Sequence, residues 1–343
     1  MTPTTPTTTM TTPTTLKAVR RYRFDLDTSA EERWGPILTD FKGLVPQLKK
    51  TVEIMMEVYG VKGLVVTALD GLIALNRHKA MHLEELEYIS KVTEIPFSHL
   101  LVMQLLYEAS AACTCVVTRV GGRPVMVRTM DWSLPILKEI TVELEFVRGG
   151  RTLFVAPTWV GCVGVFTAYL PGDDAVGPYA MAINYRRTQD MGTFNILRNL
   201  YRVISMAWPV SYLVRDIAER RVPYADALTS IQTARLVSPC YVTMTTLSES
   251  ATTMAVVTRD ADSARSDIQT QSVIQTNCDK ETMEPDILWS RERCRLATAL
   301  LEARGNDWDS LDELIHSLLV HPILNDETIY VSVITEGSIV TGV

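Results

Sequence analysis

The spacing of apolar residues changes at Cys113 and divides the chain into two parts. Between residues 23 and 112, apolar positions recur at helical spacing, which predicts a mostly helical segment. Pro46 interrupts the longest of these stretches and is expected to kink it or to restart it as a second helix. From residue 114 onward, apolar and polar residues alternate with a period of two, which predicts strands over 114–120 and 125–130.

Pairs of glycines separate the first predicted strands. Gly121-Gly122 and Gly149-Gly150 each lie between two alternating segments, and such pairs favour tight antiparallel hairpins. Blocks of strands that alternate with blocks of helices predict an α+β fold, with antiparallel sheets covered by helices. The further predicted strands are 141–147, 152–155, 163–170, 179–184, 241–246, 252–258, 272–276 and 328–335, and the further helices are 83–92, 100–109, 193–206, 210–219, 225–234, 289–303 and 310–319.

Composition and charge exclude several classes of protein. The chain has 343 residues, of which 47% are hydrophobic and 21% charged, so it is not disordered as a whole. Its formal net charge of −7 argues against nucleic-acid binding, because nucleic-acid binders present a basic balance or a basic stripe. No apolar run reaches the ~18 residues that a membrane-spanning helix needs, so none is expected.

The beginning of the chain differs in composition from the rest. Its first 15 residues are almost all Thr and Pro. A secretory signal needs a continuous apolar core, which this segment lacks, so residues 1–20 are predicted to form a solvated, disordered tail. The lack of an acidic residue before Asp25 also permits an organelle transit peptide, so the compartment stays open between cytoplasm and organelle.

Common motifs for phosphate, dinucleotide, serine-hydrolase and zinc sites are absent from the sequence. The six cysteines include no C-x-x-C pair. His78 and His82 are four residues apart, but Lys79 occupies the position where a zinc protease needs Glu, so we interpret the pair as solvated surface. We therefore predict neither a metal nor a cofactor.

The hairpin predicted around Gly121-Gly122 brings three reactive side chains together. Because its strands fold back on each other, Cys113 at the start of the first strand is expected to lie beside Arg128 and Asp131 at the end of the second. A nearby cation favours the thiolate form of a cysteine, and a carboxylate can hold an arginine or an amine in place. The alternative is that Cys113 is a small buried apolar residue and that Arg128 and Asp131 form an ordinary ion pair.

Six regions of the chain also carry a resemblance to a known family. They are F-D-L-D-T-S-A-E-E-R-W, A-C-T-C-V-V-T with V-R-T-M-D-W, V-G-C-V-G-V-F-T-A, W-P-V-S-Y-L-V-R, I-Q-T-N-C-D and N-D-E-T-I-Y. In this order they span roughly residues 22–335 and resemble segments of the acid ceramidase and N-acylethanolamine acid amidase family. The resemblance implies the four-layer αββα sandwich of N-terminal nucleophile hydrolases, with residues 21–343 packed as one domain.

The resemblance also implies self-processing. The family's precursor cuts itself just before the cysteine, which here is the Ala112–Cys113 bond. Residues 21–112 would then be a helical α-chain and residues 113–343 the catalytic β-chain, and the two would stay associated as a heterodimer. The freed α-amino group of Cys113 titrates near neutral pH, so it could serve as the base for its own thiol nucleophile. Arg128 and Asp131 would orient that thiol and amine.

The resemblance implies two further site residues, at positions that match segments of the family. Asn277, in T-N-C-D, would donate to the oxyanion of the tetrahedral intermediate. The family's supporting arginine matches W-S-R-E-R, where Arg293 is preferred and Arg291 is the alternative. Without the resemblance, Asn277 would be interpreted as a turn residue and Arg293 as a cation on a helix surface.

The sequence departs from the family at two positions. The family's C-T-S is C-T-C here, so Cys115 is a rival thiol, although the spacing to Arg128 favours Cys113. A segment that supports substrate binding or activation carries Glu in the family but is Asn184-Tyr185-Arg186 here. The replacement by Tyr185 bears on the efficiency and pH dependence of self-cleavage.

The function implied is hydrolysis of a lipid amide, an N-acylethanolamine or a ceramide, to a free fatty acid and an amine through an acyl-thioester on Cys113. Alternatives are a bile-salt or penicillin-type acylase of the same superfamily and a lipid-binding homologue without catalysis. The family is lysosomal, and the apolar helix faces of the α-chain are compatible with contact with a membrane or a lipid micelle, although most of them are expected to pack in the core.

Overall fold

The computed structural model describes residues 16–58, 82–186, 207–248, 252–279, 286–305 and 307–343, with the backbone alone at 105–110. The predicted helix over 193–206 and the histidine at position 78 lie outside these ranges. None of the helices in the described ranges is long and apolar enough to cross a membrane.

Nine helices lie in the described ranges. They are α1 (Ala30–Asp40), α2 (Val45–Val58), α3 (Leu83–Thr93), α4 (Phe97–Ser110), α5 (Ile136–Glu139), α6 (Val210–Glu219), α7 (Tyr224–Thr233), α8 (Ser290–Arg304) and α9 (Leu311–Leu318). A 3₁₀ turn over Lys42–Leu44 separates α1 from α2. Pro46 lies in the first turn of α2, where its missing N–H is not needed, so the predicted restart of the helix is confirmed.

The strands of the described ranges form two sheets. One sheet has eight strands in the order β1-β4-β5-β6-β7-β8-β9-β10, and the other has the order β11-β2-β3-β13-β14, with β12 beside β2. The strands are β1 (Arg20–Asp25), β2 (Ala112–Val120), β3 (Arg123–Asp131), β4 (Thr141–Arg148), β5 (Arg151–Trp159), β6 (Thr167–Leu170), β7 (Tyr179–Tyr185), β8 (Cys240–Thr246), β9 (Met254–Arg259), β10 (Ala264–Gln269), β11 (Val273–Gln275), β12 (Asp307–Trp308), β13 (Thr328–Ile334) and β14 (Ile339–Gly342).

Both predicted Gly-Gly hairpins are confirmed. Strand β2 pairs antiparallel with β3 across Gly121-Gly122, and β4 pairs antiparallel with β5 across Gly149-Gly150. All four glycines have positive φ angles, between 55° and 80°, which a residue with a Cβ rarely adopts. The other predicted strands and helices in the described ranges are confirmed with ends shifted by a few residues.

Four strands were not predicted, and β1 is the most informative of them. Arg20–Asp25 lies in the segment interpreted as tail and helix, yet it pairs in parallel with β4. Only Phe24 in this strand is buried, so the segment has no alternating pattern to detect. The chain is already paired before β1, because Lys17 exchanges two backbone hydrogen bonds with Val343. Part of the predicted tail of residues 1–20 is therefore paired. The other unpredicted strands are β10, β12 and β14.

Three apolar clusters form the core, and strand alternation assigns neighbouring residues to different clusters. Val117 of β2 packs in a cluster that also holds Ala180 and Tyr241 of the eight-stranded sheet. Its neighbour Val116 packs instead with residues of α8 and α9. The third cluster joins the eight-stranded sheet to α1, α2, α3, α4, α6 and α7.

A buried ion pair fastens the helical segment to the rest of the fold. Arg215 of α6 donates to both carboxylate oxygens of Glu85 of α3, at 2.6 and 3.0 Å, and Trp34 of α1 donates to the same carboxylate at 2.9 Å. Burial alone would raise the pKa of Glu85, but Arg215 holds it down at about 2. A carboxylate bound this way joins three helices that are far apart in sequence.

His82 stands beside this pair, and its interpretation as solvated surface is wrong. Its side chain is only 14% exposed, and its ring packs edge-on against Tyr212, with ring centroids 5.4 Å apart. Burial and the neighbouring Arg215 lower its pKa from 6.5 to about 3, so the ring is neutral in the folded protein. The polar neighbourhood of His82 was not visible in the sequence, because Arg215 comes from a distant helix.

Replacement of Glu85 by Ala is expected to destabilise the protein by about 3–5 kcal/mol, because it leaves the buried Arg215 without its counter-ion. The free energy of unfolding in urea measures this. The matched control is Asp216→Ala on α6, which breaks a pair with Arg220, whose side chain is 58% exposed, and should cost at most about 1 kcal/mol. Equal losses in the two variants would contradict a structural role for the buried pair.

His82 should make the protein less stable as the pH falls from about 6.5 to about 3, because only the unfolded chain takes up its proton in that range. In His82→Asn, the free energy of unfolding should therefore fall less between pH 7 and pH 4 than in the wild type. Asparagine is chosen because it tolerates the φ of 59° at this position. The exposed His316, replaced by Asn, is the control and should leave the fall unchanged.

Candidate active site

Cys113 lies at the junction between helix α4 and strand β2. Ala111 leaves the helix in an extended conformation, and Ala112 and Cys113, both fully buried, begin the strand. The pairing of β2 with β3 sets Ala112 opposite Asp131 and Cys113 opposite Met130, as the predicted hairpin required. The Sγ atom of Cys113 lies 3.9 Å from the Sδ atom of Met130.

Arg128 reaches the thiol from strand β3. Its Nη2 atom lies 3.2 Å from the Sγ atom of Cys113 and also donates to the carbonyl of Ile183 at 2.5 Å. Its Nη1 atom donates to the carbonyl of Thr129 at 2.6 Å. The guanidinium is fully buried, so these carbonyls, one of them from the other sheet, replace the water that the cation loses.

Asp131 ends the same strand and is fully buried. One of its oxygens accepts a hydrogen bond from the Thr328 hydroxyl at 2.7 Å, and the other lies 3.7 Å from the Nη1 atom of Arg293. Burial raises the pKa of Asp131 to about 6, although Arg293 and Thr328 oppose the shift. The protonation state of this carboxyl group therefore changes close to neutral pH.

Arg293 enters the site from the first turn of α8. Its Nη1 atom donates to the carbonyl of Cys113 at 2.5 Å and to the hydroxyl of Thr114 at 2.8 Å, and its Nη2 atom donates to Oδ1 of Asn277 at 3.0 Å. Burial lowers the pKa of Arg293. Arg291, the alternative, lies two residues earlier on the helix and is partly exposed, because residues two apart point in different directions.

Asn277 binds Cys113 through its oxygen. Its Oδ1 atom accepts a hydrogen bond from the backbone N–H of Cys113 at 2.6 Å, while its Nδ2 atom donates to the carbonyl of Tyr185 at 2.9 Å. The reverse orientation of the amide would set its NH₂ against two donors, Cys113 and Arg293. The donor that was expected to face an oxyanion therefore binds Tyr185, and the amide oxygen faces the cysteine.

The segment Asn184-Tyr185-Arg186 lies at the end of β7, beside Asn277. Asn184 donates to the carbonyls of Cys113 at 3.4 Å and of Gln275 at 2.8 Å. Tyr185 contributes its carbonyl to Asn277, and Arg186 forms an ion pair with Asp279. All three predicted residues thus contact Cys113 or the chain segment that carries Asn277.

The rival thiol, Cys115, occupies a different environment. It is fully buried and packs with Val117 and Met126 in the cluster that joins the two sheets. Burial raises its pKa to about 12, which keeps it a neutral thiol. Within the described ranges, no group of three or more His, Cys, Asp or Glu side chains could hold a metal ion.

Ser290 is a site residue that the sequence analysis missed. Its hydroxyl accepts a hydrogen bond from the backbone N–H of Asn277 at 2.8 Å and donates to the hydroxyl of Thr276 at 2.9 Å. A serine at the start of a predicted helix is ordinarily a cap, so nothing in the sequence pointed to this second role. It fixes the backbone from which the Asn277 side chain extends.

Comparisons with known proteins relate this chain to a family. No protein-family model matches the chain. The chain is 34% identical over 318 residues to an uncharacterized protein, R632, of Acanthamoeba polyphaga mimivirus, with 92% of this chain and 96% of that protein covered. It is 24% identical over 349 residues to human acid ceramidase, with 94% and 86% covered.

A solved structure identifies the fold. The Caenorhabditis elegans N-acylethanolamine-hydrolyzing acid amidase ortholog matches with a TM-score of 0.56 and 24% identity, over 66% of this chain and 94% of that chain. The fold is thus that of the N-terminal nucleophile hydrolases. Within that class, the chain belongs to the family of the acid ceramidases and N-acylethanolamine-hydrolyzing acid amidases.

The buried carboxyl group of Asp131 should cost stability near neutral pH. Since its pKa in the folded protein is raised from 3.8 to about 6, the protein loses stability as the pH rises from about 4 to about 6. Asp131→Asn should therefore be more stable than the wild type at pH 7 and gain nothing at pH 4, as measured by urea unfolding. Asp216→Asn, a change at a partly exposed carboxylate, is the control. A lower stability of the Asp131 variant at pH 7 would contradict this expectation.

Proposed function

We propose that this protein is a self-processing cysteine amidohydrolase that cleaves the amide bond of a lipid amide, with Cys113 as the nucleophile. One observation carries the proposal: each polar group of Cys113 is bound by a side chain from a different part of the chain. Asn277 binds its N–H, Arg293 its carbonyl and Arg128 its thiol. The backbone N–H and C=O of a buried core residue ordinarily pair with other backbone groups, and its thiol needs no charged partner, so three side-chain partners, two of them cationic, distinguish Cys113.

Self-cleavage would convert the amide bond between Ala112 and Cys113 into a thioester. The Sγ atom of Cys113 attacks the carbonyl carbon of Ala112, and the bond from that carbon to the nitrogen of Cys113 breaks as the thiol proton passes to the nitrogen. Asn277 already holds this nitrogen at 2.6 Å, so it can retain the new amine in place. Water then hydrolyses the thioester, which yields the carboxyl group of Ala112 and a free thiol.

Turnover would repeat the same steps on a substrate. The α-amino group of Cys113 takes the thiol proton, sulfur attacks the amide carbonyl, and the amine leaves with a proton from the α-ammonium group. Water hydrolyses the acyl-thioester to a free fatty acid. We assign Arg128 to the sulfur, Asp131 and Arg293 to the polar surroundings of the amine, and the Nδ2 atom of Asn277 to the oxyanion once it leaves Tyr185.

Lipid amides are the substrate class supported best. Two relatives are named for ceramide and for N-acylethanolamine hydrolysis. In this chain, Cys113 belongs to an apolar cluster that also contains Met130, Trp132, Trp159 and Phe166. Trp159 stacks on Phe166 with ring centroids 5.3 Å apart and meets Trp132 edge-on at 5.8 Å. An apolar cluster that includes the nucleophile suits an acyl chain better than a polar acyl group.

We also propose the αββα layering and the heterodimer. The layering is supported by the three apolar clusters, of which one joins the two sheets and two join a sheet to helices. After a cut before Cys113, the α-chain would stay bound because β1 pairs with β4 and because Glu85 pairs with Arg215. Both contacts cross from residues before 113 to residues after it.

Intact-mass analysis tests the proposed processing. Wild-type protein should separate under denaturing conditions into chains that end at Ala112 and begin at Cys113, whereas Cys113→Ala should remain one chain. The matched control is Cys115→Ala, which removes the neighbouring buried thiol and should still be cut. A Cys113→Ala protein that splits at the same bond would falsify the self-processing mechanism.

Hydrolysis assays then separate the substrate classes. Cleaved protein should release palmitate from N-palmitoylethanolamine or from a ceramide, and Cys113→Ala should lose this activity by about 10⁴-fold or more. Faster release from a bile-acid or penicillin amide would support the alternative acylase. No hydrolysis, together with no labelling of Cys113 by a thiol-reactive probe at acid or neutral pH, would overturn the catalytic assignment.

A further inference from the structure

Arg186 and Asp279 form a paired contact outside the reacting groups. The Nε and Nη2 atoms of Arg186 donate to the two carboxylate oxygens of Asp279 at 3.0 and 2.6 Å, which is the parallel geometry that a guanidinium and a carboxylate favour. Their side chains are only 14% and 15% exposed. The remaining Nη1 atom donates to Asp260 at 2.6 Å, but that carboxylate is 55% exposed. Asp279 is therefore the sheltered partner of this arginine.

Tyr241 holds Asp279 from a second side. Its hydroxyl donates to the Oδ1 atom of Asp279 at 2.6 Å, and the guanidinium of Arg186 lies 5.8 Å from its ring centroid. The pairing of β7 with β8 sets Tyr241 opposite Asn184, so the ring lies close to the end of β7, which Arg186 directly follows. Burial opposes ionisation, but the hydrogen bonds from Arg186 and Tyr241 outweigh it and lower the pKa of Asp279. The carboxylate is held ionised in one place.

This contact fastens the segment that carries Asn277. The segment leaves β11 at Gln275, and Asn184 binds the carbonyls of Gln275 and Thr276 at 2.8 and 3.2 Å. Asn277 binds the carbonyl of Tyr185. Asp279 then binds Arg186, the residue that follows β7. The last two residues of β7 and Arg186 therefore bind successive parts of this segment.

We propose that Asp279 is a positioning residue for Asn277 and that Arg186 and Tyr241 clamp it for that purpose. The inference rests on the proposed function, because it assigns Asp279 to the placement of the amide that binds the nitrogen of Cys113. Ser290 fixes the segment at the backbone N–H of Asn277, and Asp279 fixes it two residues later. A displacement of about 1 Å at a reacting centre can slow a reaction about 100-fold. Contacts on both sides of Asn277 therefore support the reaction rate by keeping its amide in position.

Replacement of Asp279 by Asn tests the inference, with Asp260→Asn as the matched control because both carboxylates bind Arg186. The measurements are the rate of cleavage at Ala112–Cys113, followed by intact mass, and kcat and KM on N-palmitoylethanolamine. Asp279→Asn should lower the cleavage rate and kcat by about 10- to 100-fold with KM changed less than about 2-fold, because Asp279 acts through the position of Asn277. Asp260→Asn should change each quantity by less than about 2-fold.

Two further variants test the role of Asp279 independently of Asp279→Asn. Should Asp279→Asn fail to fold, Tyr241→Phe removes one hydrogen bond from the carboxylate, keeps the ring, and should still lower kcat by about 3- to 10-fold. Asp279→Glu keeps the charge and should recover part of the lost rate. Equal rates in the Asp279 and Asp260 variants, with an active wild type, would overturn the positioning role alone. A wild type that neither cleaves itself nor hydrolyses the substrate would overturn the proposed function instead.

Discussion

The burial of two guanidinium groups around Cys113 is the constraint on which the rest of the site depends. Arg128 and Arg293 have no exposed surface, and a buried cation is stable only when oxygen atoms replace its water. Arg128 obtains carbonyls from β3 and β7, and Arg293 obtains oxygens from β2, from Asn277 and from the turn before α8. Both sheets and the first turn of α8 must therefore be in place before both charges are satisfied.

Burial also determines the state of Asp131, against the attraction of the two guanidinium groups. Its carboxyl group is fully buried beside Arg293, and burial outweighs that attraction, so its pKa rises to about 6. A buried carboxyl group whose pKa is raised destabilises the core when it ionises, but it is a useful neighbour for an amine. In the proposed mechanism, the α-amino group of Cys113 is created next to this carboxylate, on the residue paired with Met130. The ionised carboxyl group of Asp131 thus lowers the stability of the fold but serves the proposed chemistry.

Much of the fold could be predicted because it rests on local patterns. Period-two alternation and paired glycines located the β2–β3 and β4–β5 hairpins, and the first of these already set Cys113 beside Arg128 and Asp131. The prediction missed β1, because a strand with one buried residue has no pattern of its own and exists through its pairing with β4. It also misjudged His82, whose burial depends on helices more than a hundred residues apart in sequence.

What the sequence determined by itself was the location of the thiol and its two neighbours on one hairpin, since hairpin register follows from turn length and alternation. The family resemblance added Asn277, Arg293 and the end of β7 as site residues, but not how they act. Only the tertiary structure decided that the amide oxygen of Asn277 faces Cys113 and that Ser290 and Asp279 flank it. Amide orientation and side-chain contact depend on which donors and acceptors the two sheets bring together, and no local pattern in the chain records that.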